Sequence, residues 1–246
     1  TKLIPFINNN LKIYNFEITW GTQTSTDDSE GEILFKSNNF PEKKQVEKRI
    51  KKYLGYINQV PPKVSAVKIN GKRAYKLARE KINFDVLPKS VFVKNINLIK
   101  HKRNTTTFDI ECGKGFYIRS FARDLAKDLE TFGHISSLER KKVGKFNKES
   151  SILLDDLLKI GQRQLEINSI LPSISMLDDI LAFEILDTKD IENLSFGRSI
   201  KIDKNILKDH DSIFDDQQQI FLSSKGDIIS IGKLIGNLFK PNRILL

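Results

Sequence analysis

Apolar and polar residues alternate along residues 12–20, where every second side chain from Tyr14 to Trp20 is aromatic or aliphatic. This period of two predicts a β-strand with one buried face. Because Tyr14 shares that face with Phe16, the alternation alone favours a core tyrosine over a functional one. The polar residues 22–31 that follow predict a loop.

Residues 41–56 change to a helical period, with basic side chains around an apolar stripe. The apolar positions at helical spacing are Val46, Ile50, Leu54 and Ile57. This arrangement predicts an amphipathic helix over residues 41–56. On the pattern alone, a solvent-exposed helix face explains the lysines and arginines better than RNA contact does.

Two more strands are predicted at residues 91–99 and 105–112, and a helix is predicted over residues 117–130. A glycine turn at residues 113–115 separates the second strand from this helix. The turn lacks the third glycine of a dinucleotide-binding fingerprint and the Gly-Lys-Ser/Thr of a phosphate-binding loop. A nucleotide cofactor is therefore not expected.

The character of the chain changes near Pro172. A short helix is predicted over residues 187–195, ending at Gly197. Residues 228–235 and 238–246 flank Gly236-Asn237, a two-residue hairpin signal with glycine first. These features predict a separate, small β-rich unit at the C-terminal end.

The charge of the chain favours a polyanionic partner. Forty-one Lys and Arg residues against 31 Asp and Glu residues give a net charge of +10. Such an excess favours nucleic acid first and an acidic membrane surface second. No apolar run is long enough to span a bilayer. One cysteine, Cys112, and three separated histidines predict neither an internal disulfide nor a metal site, and a reducing, cytoplasmic compartment is expected.

Hydrolase chemistry has little support, because the chain contains no G-x-S-x-G, no H-E-x-x-H and no Cys/His pairing. Acidic doublets could be imagined as catalytic pairs, but helix caps and surface turns use aspartate in the same way. These doublets are Asp155-Asp156, Asp178-Asp179 and Asp215-Asp216.

Two segments resemble a known family. Residues 59–75, QVPPKVSAVKINGKRAY, closely resemble the Q-x-P-P-x-x-S-A-x-K-x-x-G-x-x-x-Y segment of TruB-type pseudouridine synthases. Residues 115–120, GFYIRS, resemble the G-T-Y-I-R motif of the same family. The first match is long and specific, and these two segments together with residues 21–31 indicate membership of this family.

Further similarities extend over the rest of the chain, and the one in the C-terminal tail is the weakest. Residues 21–31 are similar to the G-x-x-T-D-T-x-D-A-x-G loop of the family, with Ser25 where its first aspartate stands and Ser29 where alanine stands. Residues 134–146 are similar to its x-L-R-R-T-x-x-G-x-F stretch, with Glu139 replacing an arginine. The tail SKGDIISIGKLIGNLFKPNRIL resembles a PUA-like RNA-binding tail.

The resemblance implies an α+β fold. We expect a mixed, mainly antiparallel pseudouridine-synthase sheet with packed helices, followed by a small PUA-like β domain. The expected domains are residues 1–174 and residues 175–246. The resemblance further implies an enzyme that needs no cofactor, and we expect a monomer.

The activity implied by the resemblance is conversion of the T-loop uridine at tRNA position 55 to pseudouridine, with the T-arm stem-loop as partner. The target base has to leave its stack and enter a pocket. The resemblance assigns catalytic roles to Arg119, which pairs with a nucleophilic aspartate, and to Tyr14, which stacks on the flipped base. The substrate-binding residues that it implies are Tyr117, Leu138, Lys2 and Lys68.

The nucleophilic aspartate of the family lies in a G-x-L-D-P segment, which nothing inside this chain matches. Thr1-Lys2 resembles the end of the G-x-A-T-K motif that follows it. We therefore expect the chain as given to lack the nucleophile and to be inactive. If it were active, Asp27, Asp28 and Asp124 would be the first carboxylates to consider.

Two alternatives stay open on the sequence. A tRNA-binding or tRNA-folding protein of the same fold would need no nucleophile. A basic structural RNA-binding protein, such as a ribosomal component, would explain the charge. It would leave the segments at residues 59–75 and 115–120 unexplained.

Overall fold

The computed structural model divides the chain into two compact units. One comprises Asn9–Ser151, here called the large unit. The other, the small unit, comprises Thr1–Asn8 and Ile152–Leu246. The structure describes residues 3, 11–144, 146–163, 171–177, 180–202 and 219–245.

The large unit is built on a six-stranded sheet with the order β10-β9-β1-β8-β7-β4. Every neighbouring pair of these strands is antiparallel. The strands are β1 Lys12–Trp20, β4 Gly55–Gln59, β7 Lys89–His101, β8 Thr105–Cys112, β9 Gly133–Val143 and β10 Phe146–Asn147.

Three helices and two small hairpins complete the described part of the large unit. The helices are α1 Lys43–Ile50, α2 Ala74–Arg79 and α3 Ile118–Asp128, and a 3-10 turn at Lys51–Tyr53 follows α1. The hairpins pair β2 Thr22–Thr24 with β3 Ile33–Lys36, and β5 Lys68–Ile69 with β6 Lys72–Arg73.

The core of the large unit lies between the sheet and helices α1 and α3. Alternate residues of β1 are buried because they face these helices. The Phe16 ring stacks on Phe108 of β8 at 5.4 Å and meets Phe121 of α3 edge-on at 5.8 Å. From α1, Val46 and Ile50 join the same cluster. This packing fixes the position of α3, whose first turn carries the candidate site.

The small unit contains a five-stranded sheet with the order β11-β13-β14-β15-β12, in which only β11 and β13 pair in parallel. Its strands and helices are β11 Leu181–Glu184, β12 Ile200–Lys201, β13 Gln219–Ser224, β14 Asp227–Ile235, β15 Leu238–Ile244, α4 Leu154–Arg163 and α5 Thr188–Ser195. The predicted functional boundary between residues 174 and 175 stays a prediction. Within the described residues, no helix is long and apolar enough to cross a membrane.

Most predicted elements are confirmed. The predicted strand 12–20 is β1, and the strands predicted at 91–99 and 105–112 lie within β7 and β8. The predicted C-terminal helix is α5, which begins after Asp187 and ends before Gly197. The predicted class is confirmed as well: α+β, with mainly antiparallel sheets, packed helices and a small C-terminal β sheet.

The helix predicted over residues 41–56 is wrong at its C-terminal end. Helix α1 stops at Ile50, and Gly55 takes a left-handed conformation with φ of 81°. The chain then pairs with β7, so that Ile57 lies opposite Val91. The apolar residue at position 57 therefore belongs to a strand, although its spacing also fits a helix.

The loop predicted over residues 22–31 is only partly correct, because Thr22–Thr24 form strand β2. Strand β9 was not predicted at all. Its second half, LERKKV, contains four consecutive charged residues, which hide the period of two expected for a half-buried strand.

Candidate active site

Arg119 lies in the first turn of α3. The buried residues Ile118, Phe121 and Leu125 face the core, and this places Arg119 at the edge of the core, partly exposed. Gln59, at the end of β4, anchors the residue before the helix. The Tyr117 amide donates to the Gln59 Oε1 at 2.8 Å, and the Gln59 Nε2 donates to the Tyr117 carbonyl at 3.1 Å.

The guanidinium of Arg119 joins two segments that are distant in sequence. Its Nη1 donates to the Asp28 Oδ2 at 3.1 Å and to the Thr26 carbonyl at 3.2 Å. Its Nη2 donates to the Val64 carbonyl at 3.0 Å. The described residues supply no acceptor for its Nε–H. Arg119 therefore has one charged partner and can still donate to another acceptor.

The segment that carries Asp28 is a tightly closed loop, residues 24–31. The Thr26 hydroxyl donates to the Asp28 Oδ1, and the Thr24 hydroxyl donates to the Asp28 carbonyl at 2.6 Å. A side chain at Gly31 would place its Cβ 2.6 Å from the backbone nitrogen of Thr26, which is too close for any other residue. These contacts fix the Asp28 carboxylate toward Arg119.

Tyr14 lies on β1 and is partly buried against the core. Its cross-strand neighbours are Ile110 on β8 and Arg140 on β9. Burial raises the pKa of the Tyr14 phenol above its ordinary value, and the Arg140 guanidinium opposes this shift only in part. The phenol is therefore protonated at neutral pH.

Leu138 lies opposite Phe16 on β9, so it shares a sheet face with Tyr14 and is diagonal to it. About half of the Leu138 side chain is exposed (49%), whereas Phe16 is buried. An exposed leucine beside a tyrosine on the same face offers an apolar surface to a ligand. These two predicted site residues are thus brought together.

The other predicted site residues differ in how well the structure places them. Tyr117 is adjacent to the Arg119 helix turn and is held by its backbone. Lys68 is exposed on the short strand β5. Lys2 lies outside the described residues. The substrate-binding roles of all three stay predictions.

Two contributors were not predicted as site residues. Asp28 was considered only as a substitute nucleophile, and Gln59 only as part of a motif. Their roles follow from contacts between residues 91 and 58 positions apart, which no local pattern reveals. Both lie in segments that resemble family motifs, and this was the one available signal.

Two departures from the family pattern have local partners. The hydroxyl of Ser25 accepts a hydrogen bond from the Glu32 amide at 3.1 Å and helps to close the 24–31 loop. Glu139 forms an ion pair with Lys148 on the surface. Serine at position 25 therefore still supplies an acceptor within the loop.

Comparison with known sequences gives a consistent result. The model of the family described as TruB family pseudouridylate synthase, N-terminal domain, matches residues 1–118. A tRNA pseudouridine synthase B of Sinorhizobium medicae is 35% identical over 251 residues, which cover 99% of this chain and 79% of that protein. The tRNA pseudouridine synthase B of Anaplasma marginale is 35% identical over 247 residues, covering 99% and 80%.

Solved structures show the same fold at low sequence identity. One is described as an H/ACA RNP bound to a substrate RNA containing 2'-deoxyuridine; its matching chain has a TM-score of 0.69 and 13% identity, covering 100% of this chain and 69% of that one. Another is a Cbf5-Nop10-Gar1 complex, with a TM-score of 0.66 and 16% identity over 96% and 67% of the two chains.

Proposed function

This chain belongs to the TruB family of pseudouridylate synthases, and we propose that its substrate is the T-arm of tRNA, where it serves conversion of the T-loop uridine at position 55 to pseudouridine. Within this proposal, residues 1–174 form the catalytic part and residues 175–246 a PUA-like RNA-binding part. The protein acts as a monomer in the cytoplasm and without a cofactor. The relatives named tRNA pseudouridine synthase B support a tRNA substrate.

The observation that carries the proposal is the Arg119 guanidinium, held on one side by Asp28 and Val64 and still able to donate through Nε. A guanidinium beside a carboxylate favours its ionised form, and its planar fork sets its orientation. The proposed task of Arg119 is to hold the nucleophilic carboxylate charged and aligned. No residue of this chain matches the family motif that supplies that carboxylate.

The reaction breaks the bond between the uracil N1 and the sugar, turns the base, and joins its C5 to the sugar. Then C5 loses a proton and N1 gains one. The base must be flipped out of the RNA stack for this to happen. Tyr14 and Leu138 share a sheet face, which in this proposal receives the flipped base. Tyr117, two residues before Arg119, is proposed as a wall of the pocket. In this proposal Tyr14 stacks on the flipped base with its phenol protonated.

The experiment compares the 246-residue chain with a chain extended upstream by a family segment containing L-D-P. Both are incubated with a T-arm stem-loop, and pseudouridine is mapped by position. We expect product only from the extended chain and only at the T-loop uridine. An extended chain with its L-D-P aspartate changed to asparagine is the matched control.

Two results would contradict the proposal. Conversion by the 246-residue chain alone would require a carboxylate of its own, and Asp28 would be the first to test because it already contacts Arg119. Tight binding without product from the extended chain would favour the alternative, a tRNA-binding or tRNA-folding protein of the same fold.

A further inference from the structure

A second arginine lies one helical turn after Arg119 on the same side of α3. The Arg123 Nη1 donates to the Asp27 Oδ2 at 3.2 Å, and its Nε donates to the Asp124 Oδ1 at 2.9 Å. Its Nη2 donates to the Val60 carbonyl at 2.9 Å. Arg123 therefore joins the same two segments as Arg119, but it uses Asp27 where Arg119 uses Asp28.

Asp27 is held firmly in the 24–31 loop. It is buried, with 7% of its surface exposed, and its backbone is left-handed with φ of 60°. Its amide donates to the Thr24 carbonyl at 3.3 Å, and its carbonyl accepts from the Ile135 amide at 3.0 Å. Because Asp28 is the next residue, the position of Asp27 determines where the Asp28 carboxylate can lie.

Charge is closely balanced in this cluster. Three carboxylates, Asp27, Asp28 and Asp124, lie against two guanidinium groups, Arg119 and Arg123. The charged groups facing Asp27 are both arginines, which lower its pKa, and Asp124, which raises it. Burial has the largest effect and raises the pKa of Asp27 and also that of Asp124. A buried Asp27 without Arg123 would have Arg119 as its remaining cation.

We propose that Arg123 is a positioning residue, which holds Asp27 so that Asp28 alone engages Arg119 and the Nε edge of Arg119 stays available to the nucleophile. This inference rests on the proposed function of Arg119. It adds a role for the ion pair of Arg123 and Asp27, which contacts neither the base nor the reacting atoms in this proposal. Without Arg123, the Asp27 carboxylate would compete with Asp28 and with the nucleophile for the Arg119 guanidinium.

The first test uses the 246-residue chain and needs no activity. The side-chain Nε–H signal of Arg119 is followed by NMR from weakly acidic to weakly alkaline pH, over the range in which the chain stays folded. In Arg123→Gln we expect the signal to shift with pH as Asp27 ionises and turns to Arg119. The shift should be absent in the wild type and in the double variant Asp27→Asn/Arg123→Gln, which has no carboxylate at position 27.

The second test measures single-turnover pseudouridine formation in the extended chain. Arg123→Gln should be slower than the wild type by about 100-fold near the upper end of this pH range, because the nucleophile loses its alignment. The ratio of the two rates should approach one as pH falls and Asp27 becomes protonated. The double variant should recover to within about threefold at all pH values, with unchanged affinity for the RNA. Lys127→Gln, which removes a charge one turn further along α3, is the matched control and should have no effect.

The outcomes separate the inference from the proposed function. An extended wild-type chain that makes no pseudouridine would refute the proposed function, and the NMR comparison would still decide whether Asp27 turns to Arg119. A double variant that regains its melting temperature but stays slow would overturn the positioning role, because the pair would then be structural only. A slow Arg123→Gln variant whose rate ratio is independent of pH would overturn it too.

Discussion

Arg119 has three hydrogen-bond acceptors in the structure, and only the Asp28 carboxylate carries a charge. A lysine at this position keeps the charge but cannot reach acceptors on both sides with a planar fork. In the extended chain, we expect Arg119→Lys to lower the single-turnover rate by about two orders of magnitude, with little change in tRNA affinity. Rate, affinity and melting temperature should be measured on the same variant.

Two other results for Arg119→Lys would assign a different role. Weaker RNA binding with a smaller salt dependence would indicate an arginine that contacts the RNA backbone. A large loss of melting temperature with normal chemistry would indicate an arginine that only joins α3 to the segments at Thr26 and Val64. Either result would remove Arg119 from the catalytic residues.

Cys112 offers a probe of the sheet that does not depend on activity. It is fully buried on β8 between Lys12 of β1 and Val93 of β7. Burial raises the pKa of its thiol to about 12, so almost no thiolate is present near neutral pH. We expect a thiol reagent to label Cys112 only through unfolding, with a rate that rises with denaturant in parallel with loss of structure. Complete labelling of the native chain within minutes would contradict this burial.

The sequence was informative about individual residues wherever a motif was contiguous. Arg119 and Tyr117 could be predicted as site residues because they are neighbours in one short motif of the family. Tyr14 was predicted from the resemblance alone, because the alternation around it favours a core residue. The partners Asp28 and Gln59 could not be assigned, because long-range pairing depends on how α3, the 24–31 loop and β4 meet. No residue pattern within one segment carries that information.

The start of α3 depends on a strand that precedes it by about sixty residues in the chain. The buried Gln59 side chain accepts the Tyr117 N–H, one of the amides that a helix start leaves unpaired, and it also donates to the Tyr117 carbonyl, which already accepts the Phe121 amide at 3.0 Å. We expect Gln59→Met to lower the free energy of unfolding by roughly 1–3 kcal/mol, because the Tyr117 amide loses its hydrogen-bond acceptor. Chemical denaturation of the 246-residue chain measures this change.

The neighbouring residue supplies the control for this prediction. Asn58 lies on the same strand but is exposed, so Asn58→Met should change the free energy of unfolding by less than about 0.5 kcal/mol. Equal effects of the two substitutions would show that the Gln59 amide does not anchor the helix. If both were neutral, the same conclusion would follow.

At the level of elements, the errors have a common physical origin. Helix α1 and strand β4 were predicted as one helix, because Leu54 and Ile57 continue an apolar spacing that fits both structures. Strand β9 was missed, because its charged second half gains its stability by pairing with β1 rather than from a buried face. Hydrophobic periodicity within one segment gives the wrong prediction where the secondary structure of that segment depends on pairing with other strands.

The net charge of +10 is a property of the whole molecule and predicts salt-sensitive RNA binding. Each phosphate contact releases condensed counterions, so the logarithm of the T-arm affinity should fall with the logarithm of salt concentration by about 0.7 to 0.9 per contact. Titrating the 246-residue chain with a T-arm stem-loop at several salt concentrations measures this slope. Affinity that does not change between low and moderate salt would contradict the prediction.

The basic residues of the large unit should not contribute equally to that slope. Lys68 is exposed in the segment that most closely resembles the family, whereas Lys44 is exposed on α1, where the pattern favours a solvated helix face. Both substitutions, Lys68→Gln and Lys44→Gln, remove one charge from the same unit. We expect only Lys68→Gln to reduce the salt slope by about one contact and to weaken binding to stem-loops of any sequence alike. Equal reductions would mean that RNA is attracted by the electrostatic field of the whole protein, and that Lys68 makes no specific phosphate contact. A reduction for Lys44→Gln alone would indicate that RNA binds at α1.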